Sequence, residues 1–350
     1  MRETAAMIRD RLPLARSSLA LAASLLAISA GCSTEETADP KPQPPPVPLC
    51  EKIGTQRVDA VTPAVVVPDW GEPRRLGAPV NTPCPQDAIE IARDGSCLYV
   101  MYTEDVLENM PPERILARRN NTYRLRRIGG PGEFGEPEYY DLGKGTTASL
   151  DGELSFSPDG NEVYFHSLRS TNQGYLIDPP ADDFLDIYVA GVADGEPGPG
   201  RNLGLPPNSI HPDGEHALHP DGASLYFGSH RPGGAGGADI WISTREGNVW
   251  SEPANLGSPV NSFANDYQPA FTADGDTMYF ASGRNPLIGM AIYRSVRDGA
   301  GWGDPQLVIR GLVGEPSLTA DGRLLYFVHV LSDAEGNYDS DVWYCERPAP

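Results

Sequence analysis

The sequence predicts an all-β fold, a five-bladed β-propeller in which a strand from the start of the domain completes the last blade. Three observations lead to this prediction. An Asp-Gly hairpin pattern occurs five times, third- and fourth-strand motifs recur between the hairpins, and a spare fourth-strand motif precedes the first hairpin. Repetition at a period of several tens of residues is typical of repeat architectures.

The hairpin pattern is clearest in residues 269–282, where two apolar runs flank Asp274-Gly275. An Asp-Gly pair in this setting favours a tight turn of the primed type. A tyrosine follows each aspartate by five residues, and an apolar residue precedes it by three. The intervals of 47 to 65 residues between aspartates suit propeller blades with variable loops. The five pairs begin at Asp94, Asp159, Asp221, Asp274 and Asp321.

Two further strands of each unit are recognisable. Asp239-Ile-Trp-Ile and Asp341-Val-Trp-Tyr share a third-strand pattern, and Trp-x-x-Pro-x-x-Leu-Gly marks the fourth strand at residues 250–257. A copy of this motif lies at residues 70–77, and none follows Trp343. We therefore expect residues 70–77 to pair with the last blade and close the ring. Six blades are the alternative, but residues 102–150 are too short for an extra blade of about 40 residues.

These motifs resemble WD-like repeats of the TolB type. The resemblance rests on the Asp-Gly-x-x-Leu-Tyr-Phe pattern, the Gly-rich run at residues 229–241 and the Trp-x-x-Pro-x-x-Leu-Gly motif, and it covers residues 70–345. It implies a propeller that acts as a binding platform in a periplasmic or outer-membrane-associated protein. A TolB protein also has a separate α/β domain, for which this chain has no room, so its particular role does not transfer.

The first 31 residues are interpreted as a signal peptide. Four arginines precede an apolar run at residues 19–30, which is too short to span a bilayer. The run ends in Ser29-Ala-Gly-Cys32, which resembles a bacterial lipobox, so Cys32 is the predicted lipidation site. Ordinary signal cleavage with an incidental Cys32 is the alternative.

The remaining chain divides into a tether at residues 32–49 and a propeller domain at residues 50–350. Six prolines and few apolar side chains predict an extended tether, which would hold the domain up to roughly 50 Å from a membrane. We expect a monomer at the cell envelope, in the periplasm or on the outer membrane, held to the bilayer only by its lipid.

The net charge restricts the partners. The formal charge is −21, and residues 32–350 carry −23 because the first 31 residues contain four arginines and two acids. So acidic a surface repels nucleic acid, whose binding depends on cationic contacts. A protein or a small cationic ligand is the expected partner.

Four cysteines remain if Cys32 is lipidated, and an exported protein can oxidise them. We expect the pairs Cys84–Cys97 and Cys50–Cys345, the second joining the entry of the ring to its last strand. Two other pairings stay open, and a zinc site is disfavoured because no Cys-x-x-Cys spacing occurs.

A candidate binding site follows from the repeat alignment. The position six residues before each hairpin aspartate begins the innermost strand, which lines the central channel. Its occupants besides Ala88 are Glu153, Glu215, Gln268 and Glu315. Three carboxylates at one channel mouth predict a site for a cation or a cationic group. A solvated polar lining is the alternative.

Calcium is a candidate cofactor. The acidic run at residues 333–341 offers hard oxygen ligands at alternate positions: Asp333, Glu335, Asn337 and Asp339. Its glycine is misplaced for an EF-hand loop and no closing glutamate follows, so an exposed acidic loop is the alternative.

A binding protein is the preferred interpretation, and the runner-up is a metal-dependent carbohydrate-active enzyme of the lyase or hydrolase type. The runner-up rests on His211, Glu215, His216 and His219, which lie close together in the sequence. However, His219 occupies a turn position that Ser157, Thr272 and Thr319 hold in other repeats. No catalytic residue is therefore assigned.

Overall fold

The computed structural model describes residues 62–103, 121–143, 150–176, 184–299, 301–332 and 338–348. Within these ranges the chain forms strands and no α-helix. Two short strands come first, β1 (Ala64–Val65) and β2 (Arg74–Arg75). Five antiparallel sheets then follow in chain order, each a meander from an inner strand to an outer one.

The first two blades have the following strands. Blade 1 contains β3 (Gln86–Ile91), β4 (Cys97–Tyr102), β5 (Asn121–Arg126) and β6 (Glu138–Tyr139). Blade 2 contains β7 (Leu150–Phe156), β8 (Glu162–Leu168), β9 (Asp186–Ala193), β10 (Glu196–Pro197) and β11 (Arg201–Asn202).

The other three blades repeat this order. Blade 3 contains β12 (Asp213–Leu218), β13 (Ser224–Ser229), β14 (Asp239–Glu246), β15 (Val249–Trp250) and β16 (Ala254–Asn255). Blade 4 contains β17 (Asp266–Phe271), β18 (Thr277–Ser282), β19 (Ala291–Asp298), β20 (Gly301–Trp302) and β21 (Gln306–Arg310). Blade 5 contains β22 (Val313–Leu318), β23 (Leu324–Ser332) and β24 (Tyr338–Glu346).

The five sheets form a five-bladed propeller, as predicted. Each inner strand contacts the inner strand of the next blade, and β22 contacts β3 to complete the circle. Because each blade is a meander, its connections alternate between two ends of the ring. We call the end with the Asp-Gly turns the hairpin face. The opposite end is the loop face, where second strands pass to third strands and outer strands lead into the next blade.

The predicted closure by the N-terminal segment is confirmed. Strand β2 pairs antiparallel with β24, with Arg74 opposite Tyr344 and Arg75 opposite Trp343. The Arg75 guanidinium donates two hydrogen bonds, of 2.8 and 2.7 Å, to the buried Asp341 carboxylate. The sequence did not predict the second contribution of this segment, in which β1 pairs with β21 as an added outer strand of blade 4.

The Asp-Gly turns differ from the predicted two-residue primed turn. The glycine of each pair has a positive φ, between 64° and 76°, but none of the aspartates does. A primed turn of the Asp-Gly type needs positive φ at both residues. The preceding side chain stabilises a wider turn instead: in blade 4 the Thr272 hydroxyl donates to the Asp274 carboxylate at 2.6 Å, and the Asp276 amide donates to the same oxygen at 3.0 Å.

The core lies between the blades. The recurring Tyr-Phe pairs of the second strands are almost fully buried, and their clusters join neighbouring sheets. Tyr164 of blade 2, for example, packs with Phe227 and Trp241 of blade 3. Apolar burial between blades therefore holds the ring together, at roughly 25 cal/mol per Å² of surface removed from water.

The predicted disulfide pairs are wrong. Cys97 and Cys345 are both free thiols. Cys97 packs in the core between blades 1 and 2, and Cys345 packs in the core between blades 4 and 5. Burial raises the pKa of the Cys345 thiol to about 12, so it serves as a small apolar core residue.

Candidate functional site: an acidic channel at the centre of the ring

The structure places the four predicted channel residues at one repeated backbone feature. Each inner strand slips out of register with its second strand by a bulge, and the residue at the bulge has a φ between 48° and 56°. Residues other than glycine rarely adopt this left-handed conformation, and holding one there costs roughly 1–3 kcal/mol. The five residues are Ala88, Glu153, Glu215, Gln268 and Glu315. The bulge re-aims the side chain at this position in every blade.

Two of these side chains join neighbouring inner strands. The Gln268 Oε1 atom accepts a hydrogen bond of 2.9 Å from the Glu315 amide, and the Glu315 Oε2 atom accepts one of 3.1 Å from the Ile89 amide. They therefore help to hold blades 4, 5 and 1 in a ring. This part of the predicted set has a structural role that the sequence did not reveal.

Glu153 has a different environment. Only 7% of the residue is exposed, and its Oε2 atom is buried without a hydrogen-bond partner among the described residues. Burial, followed by the negative charges of Glu215, Asp87 and Glu90, holds the pKa of the Glu153 carboxyl well above its usual range. Leaving a buried carboxylate oxygen unpartnered is costly unless a proton or a cation compensates it.

Glu315 belongs to the same electrostatic cluster. Burial and the neighbouring Asp87 carboxyl, together with Glu153 and Glu215, raise the pKa of Glu315 well above its usual range. The carboxyl groups thus lie near enough to disfavour each other's ionisation.

Two members of this cluster, Asp87 and Glu90, were not predicted from the sequence. Glu90 accepts a hydrogen bond of 2.6 Å from the Ser317 hydroxyl of blade 5. Burial raises the pKa of Glu90 to about 7, although that hydrogen bond and the charge of Arg93 act in the opposite direction. The signal was present in blade 1, where Ala88 holds the ring position and acids stand on both sides of it.

A cavity of about 40 Å³ lies within this cluster and is lined by the halves of the inner strands that lead to the hairpin face. It has room for a few water molecules or one small cationic group, and not for a sugar ring. Its polar lining includes Glu90, Glu153 and His216, and Arg93 is the one positively charged side chain among the lining residues. The lining also includes the apolar ends of inner strands, such as Phe271.

The buried histidines near the cavity are neutral. Burial lowers the pKa of His166 to about 3, with a further contribution from the charge of His216, and burial lowers the pKa of His216 to about 4. The His166 Nδ1 atom lies 3.9 Å from a Glu215 oxygen, too far for a hydrogen bond. In the described part of the chain, no three His, Cys, Asp or Glu side chains are arranged to hold a metal ion.

His219, which belongs to the predicted histidine cluster, is held by hydrogen bonds within the Asp-Gly turn of blade 3 and to blade 4. Its Nδ1 atom accepts a hydrogen bond of 3.2 Å from the Asp221 amide, and its Nε2 atom lies 3.2 Å from the Gly275 carbonyl oxygen of blade 4. It thus occupies the turn position that Ser157 and Thr272 hold elsewhere.

The predicted calcium ligands fall mostly outside the described residues, where Asp333, Glu335 and Asn337 lie. Asp339 is described and is buried in β24, with its Oδ1 atom accepting a hydrogen bond of 2.9 Å from the Ser340 amide. The interpretation of the whole run as an exposed loop is therefore wrong at Asp339.

A repeated ion pair that the sequence analysis missed lies at the loop face. An arginine that follows the second strand binds an aspartate at the start of the inner strand of the same blade, at 2.6–3.0 Å. The pairs are Arg169–Asp151, Arg231–Asp213 and Arg284–Asp266. The Ser-x-Arg spacing at residues 167–169, 229–231 and 282–284 was the available signal. These pairs fix the loop-face ends of the inner strands.

Comparisons with known proteins support the fold alone. No protein-family model matches the sequence, and no curated protein matches it either. A solved glycoside hydrolase has a TM-score of 0.52 at 12% identity, covering 82% of this chain and 93% of its own. A putative TolB from Agrobacterium tumefaciens has a TM-score of 0.43 at 19% identity, covering 77% and 92%. An α-L-arabinofuranosidase from Lactobacillus brevis has a TM-score of 0.47 at 13% identity, covering 76% and 92%.

No helix among the described residues is long and apolar enough to cross a membrane. At these identities the similarity to solved structures is one of architecture. It assigns no activity to the channel.

Proposed function

We propose that this chain is an exported, lipid-anchored binding protein of the cell envelope whose channel mouth receives a positively charged group of a protein partner. The observation that carries the proposal is the buried carboxylate of Glu153, which has an unpartnered oxygen in a cavity lined by a second acid, Glu90. Five nearby carboxyl groups and one arginine leave this region short of positive charge. A cation entering from outside would supply it.

A lysine or arginine side chain suits the site better than a metal ion. The described residues offer no arrangement of three metal ligands, whereas the cavity is small and bordered by apolar side chains such as Phe271. A cationic side chain could place its charged end among the carboxylates and its methylene groups against that border. Calcium bound by the acidic run at residues 333–341 remains a separate proposal.

Location at the envelope rests on the sequence. The basic and apolar start of the chain and the Cys32 motif support export and lipidation, and the Pro-rich tether supports a domain held away from its anchor. The net charge supports a protein or small cationic partner over nucleic acid. Cell fractionation tests the anchor: Cys32→Ala should release the protein from membranes, and a soluble wild-type protein would refute lipidation.

The channel is tested with short lysine-rich and arginine-rich peptides as probes. Replacing Glu153, Glu215 and Glu315 with Gln should abolish most peptide binding, and added salt should weaken binding to the wild-type protein. The matched control carries the same charge change on exposed glutamates, as Glu72→Gln, Glu136→Gln and Glu252→Gln. Equal binding by the two triple variants would show that the channel acids are only a polar lining.

Acidic pH gives an independent test. Because burial and mutual repulsion raise the pKa of the channel carboxyls, a bound cation must compete with protons near neutrality. Peptide affinity should therefore rise between pH 5 and pH 8. An affinity that does not change over this range would exclude Glu90 and its neighbours from the binding site.

A carbohydrate-active enzyme is the second candidate. The observation that favours it is a cluster of carboxyls with raised pKa, since glycosidases use one protonated and one ionised carboxyl. The small cavity opposes it, because no sugar ring fits. Metal analysis and a screen of oligosaccharide substrates decide the point: activity that disappears in Glu90→Gln and Glu153→Gln would favour the enzyme.

A further inference from the structure

Large apolar side chains are exposed to solvent on the loop face, around blades 3 and 4. Leu287 is 92% exposed, Phe263 70% and Leu205 67%, and Ile210 is also exposed. All four lie in connections on this face: Leu205 and Ile210 lead into blade 3, Phe263 leads into blade 4, and Leu287 joins β18 to β19. A single exposed apolar side chain is common, but four such side chains on adjacent blades of one face indicate an interaction surface. We call these four residues the apolar patch.

The backbone beneath the patch is held by specific contacts. The Ser262 hydroxyl donates a hydrogen bond of 2.7 Å to the Asp266 carboxylate. The Gly-rich loop of blade 3 packs closely on Ala264, so that a side chain at Gly236 would collide with the Ala264 carbonyl oxygen. The Leu287 amide donates to the Asn285 side chain at 3.1 Å. Phe263 and Leu287 are therefore presented to solvent by ordered loops.

The loops that carry the patch contain no acidic residue, although the chain has 48 aspartates and glutamates. This holds for residues 203–212, 230–238, 257–265 and 283–290. The acids at the adjoining strand ends, Asp213, Asp239 and Asp266, are buried. Asp213 and Asp266 pair with arginines, and Asp239 accepts a hydrogen bond from the Asn255 side chain. The acid-containing stretches 177–183 and 333–337, in the flanking blades, lie outside the described residues. Each Asp-Gly turn of the hairpin face, in contrast, carries a carboxylate.

The chain enters the ring beside this patch. Pro63, just before β1, is buried against Gly311, where an added Cβ would lie 3.0 Å from the Pro63 Cα atom. Leu312 packs against Gly289: a Cβ added at Gly289 would lie 3.0 Å from the Leu312 Cδ2 atom. Gly289 is two residues after Leu287 in the sequence. The described part of the chain thus begins on the loop face.

We infer that the apolar patch docks on the phospholipid bilayer to which the chain is anchored, with Leu287, Phe263 and Leu205 entering the boundary between headgroups and acyl chains. The inference rests on the lipid anchor of the proposed function. An anchored domain meets the bilayer at a high effective concentration, so a weak patch suffices to orient it. A face without exposed acids in these loops also avoids repulsion from anionic headgroups.

Vesicle binding of the lipid-free chain tests the patch apart from the anchor. At a lipid concentration far above that of a diluted cell fraction, the protein carrying Cys32→Ala should sediment in part with vesicles of phosphatidylethanolamine and phosphatidylglycerol, although it leaves membranes during fractionation. Adding Leu287→Glu and Phe263→Glu should weaken this vesicle binding by about tenfold or more. The controls Val249→Glu and Ile128→Glu alter side chains of the hairpin face that are 74% and 72% exposed, and should leave it unchanged.

Two outcomes would overturn the inference. Equal losses in the loop-face and hairpin-face variants would show that the patch has no special role. A change of oligomeric state in the Leu287→Glu and Phe263→Glu protein, with unchanged vesicle binding, would assign the patch to contacts between copies of the chain.

A second measurement covers an affinity too weak for sedimentation. Leu287→Cys in the lipidated protein, labelled with an environment-sensitive fluorophore, should show a blue-shifted spectrum on reconstitution into vesicles. The buried thiols of Cys97 and Cys345 should resist labelling. An unchanged spectrum would refute docking even if fractionation confirms the anchor, so the failure of the patch and the failure of the anchor are distinct results.

Discussion

Replacing Glu90 with Gln should stabilise the protein, and increasingly so as the pH rises. Glu90 lines the channel cavity, and burial raises the pKa of its carboxyl from about 4.5 to about 7. A carboxyl whose pKa is raised by folding contributes its full stability when protonated, and this contribution is lost as the pH rises through the folded pKa. The amide keeps an oxygen to accept the hydrogen bond from Ser317, but it cannot ionise.

The size of this change in stability follows from the raised pKa of Glu90. A difference of 2.5 pKa units corresponds to a cost of about 3 kcal/mol when the wild-type carboxyl is ionised at pH 8, and about 1 kcal/mol at pH 5. The free energy of unfolding of Glu90→Gln relative to wild type should therefore increase by about 2 kcal/mol between these pH values. Such a gain would mark an acid kept in the channel at the expense of stability.

Urea denaturation at pH 5, 6, 7 and 8 measures this difference from the transition midpoints at equal slope. Glu252→Gln, which changes an exposed carboxylate by the same substitution, is the control and should show no trend with pH. A constant difference between Glu90→Gln and wild type would refute the raised pKa. A variant destabilised at every pH would show that the Glu90 carboxylate is needed to hold blades 1 and 5 together.

Three further predictions concern the ring itself. Arg75→Ala should lower the free energy of unfolding by about 1–2 kcal/mol, because it removes two hydrogen bonds to a buried carboxylate of β24. The control Arg74→Ala, which removes an exposed ion pair, should lower it by less than about 0.5 kcal/mol in the same urea experiment. Arg231→Ala should cost about 3 kcal/mol in that experiment, since it leaves the fully buried aspartate at the start of β12 without its counter-ion. Alkylation without reductant, followed by mass spectrometry, should modify Cys97 and Cys345 in the unfolded protein and neither in the native one; a disulfide at either position would contradict the structure.

The fold could be predicted because the same information occurs five times. Each hairpin has its own turn, its own buried tyrosine and its own apolar flank, so a departure in one repeat, such as Val100 in place of phenylalanine, does not obscure the pattern. The closing strand was predictable for the same reason, since residues 70–77 carry a motif that the last blade lacks. Strand β1 was missed because Ala64–Val65 belongs to no repeated motif.

The site was predicted only in part because side-chain direction at a bulge is a three-dimensional property. Alignment placed Glu153, Glu215, Gln268 and Glu315 at one repeat position, and the structure gives all four the same left-handed backbone conformation. Alignment assigned Ala88 to that level in blade 1 and so hid Glu90, which lies two residues further along the same strand. The cysteine pairs failed for a similar reason: sequence spacing does not tell between which blades a side chain packs.

The described loops of blades 3 and 4 lack acids and carry apolar side chains, whereas the Asp-Gly turns at the other end of the ring are acidic, and this difference gives the domain an orientation. The described chain begins at the loop face, near Leu287, whereas the cavity lined by Glu90 and Glu153 lies among the strand ends that lead to the hairpin face. If the loop face lies on the bilayer, the channel mouth and its rim of aspartates point into the surrounding compartment. A cationic partner would then meet an acidic surface first and the buried carboxylates second, so that long-range attraction guides it to the site. Moving the lipidated segment to the hairpin face should turn the channel mouth toward the membrane. On vesicles, this variant should associate with a lysine-rich peptide more slowly than the wild-type protein. Without vesicles, it should bind the peptide as fast as the wild-type protein.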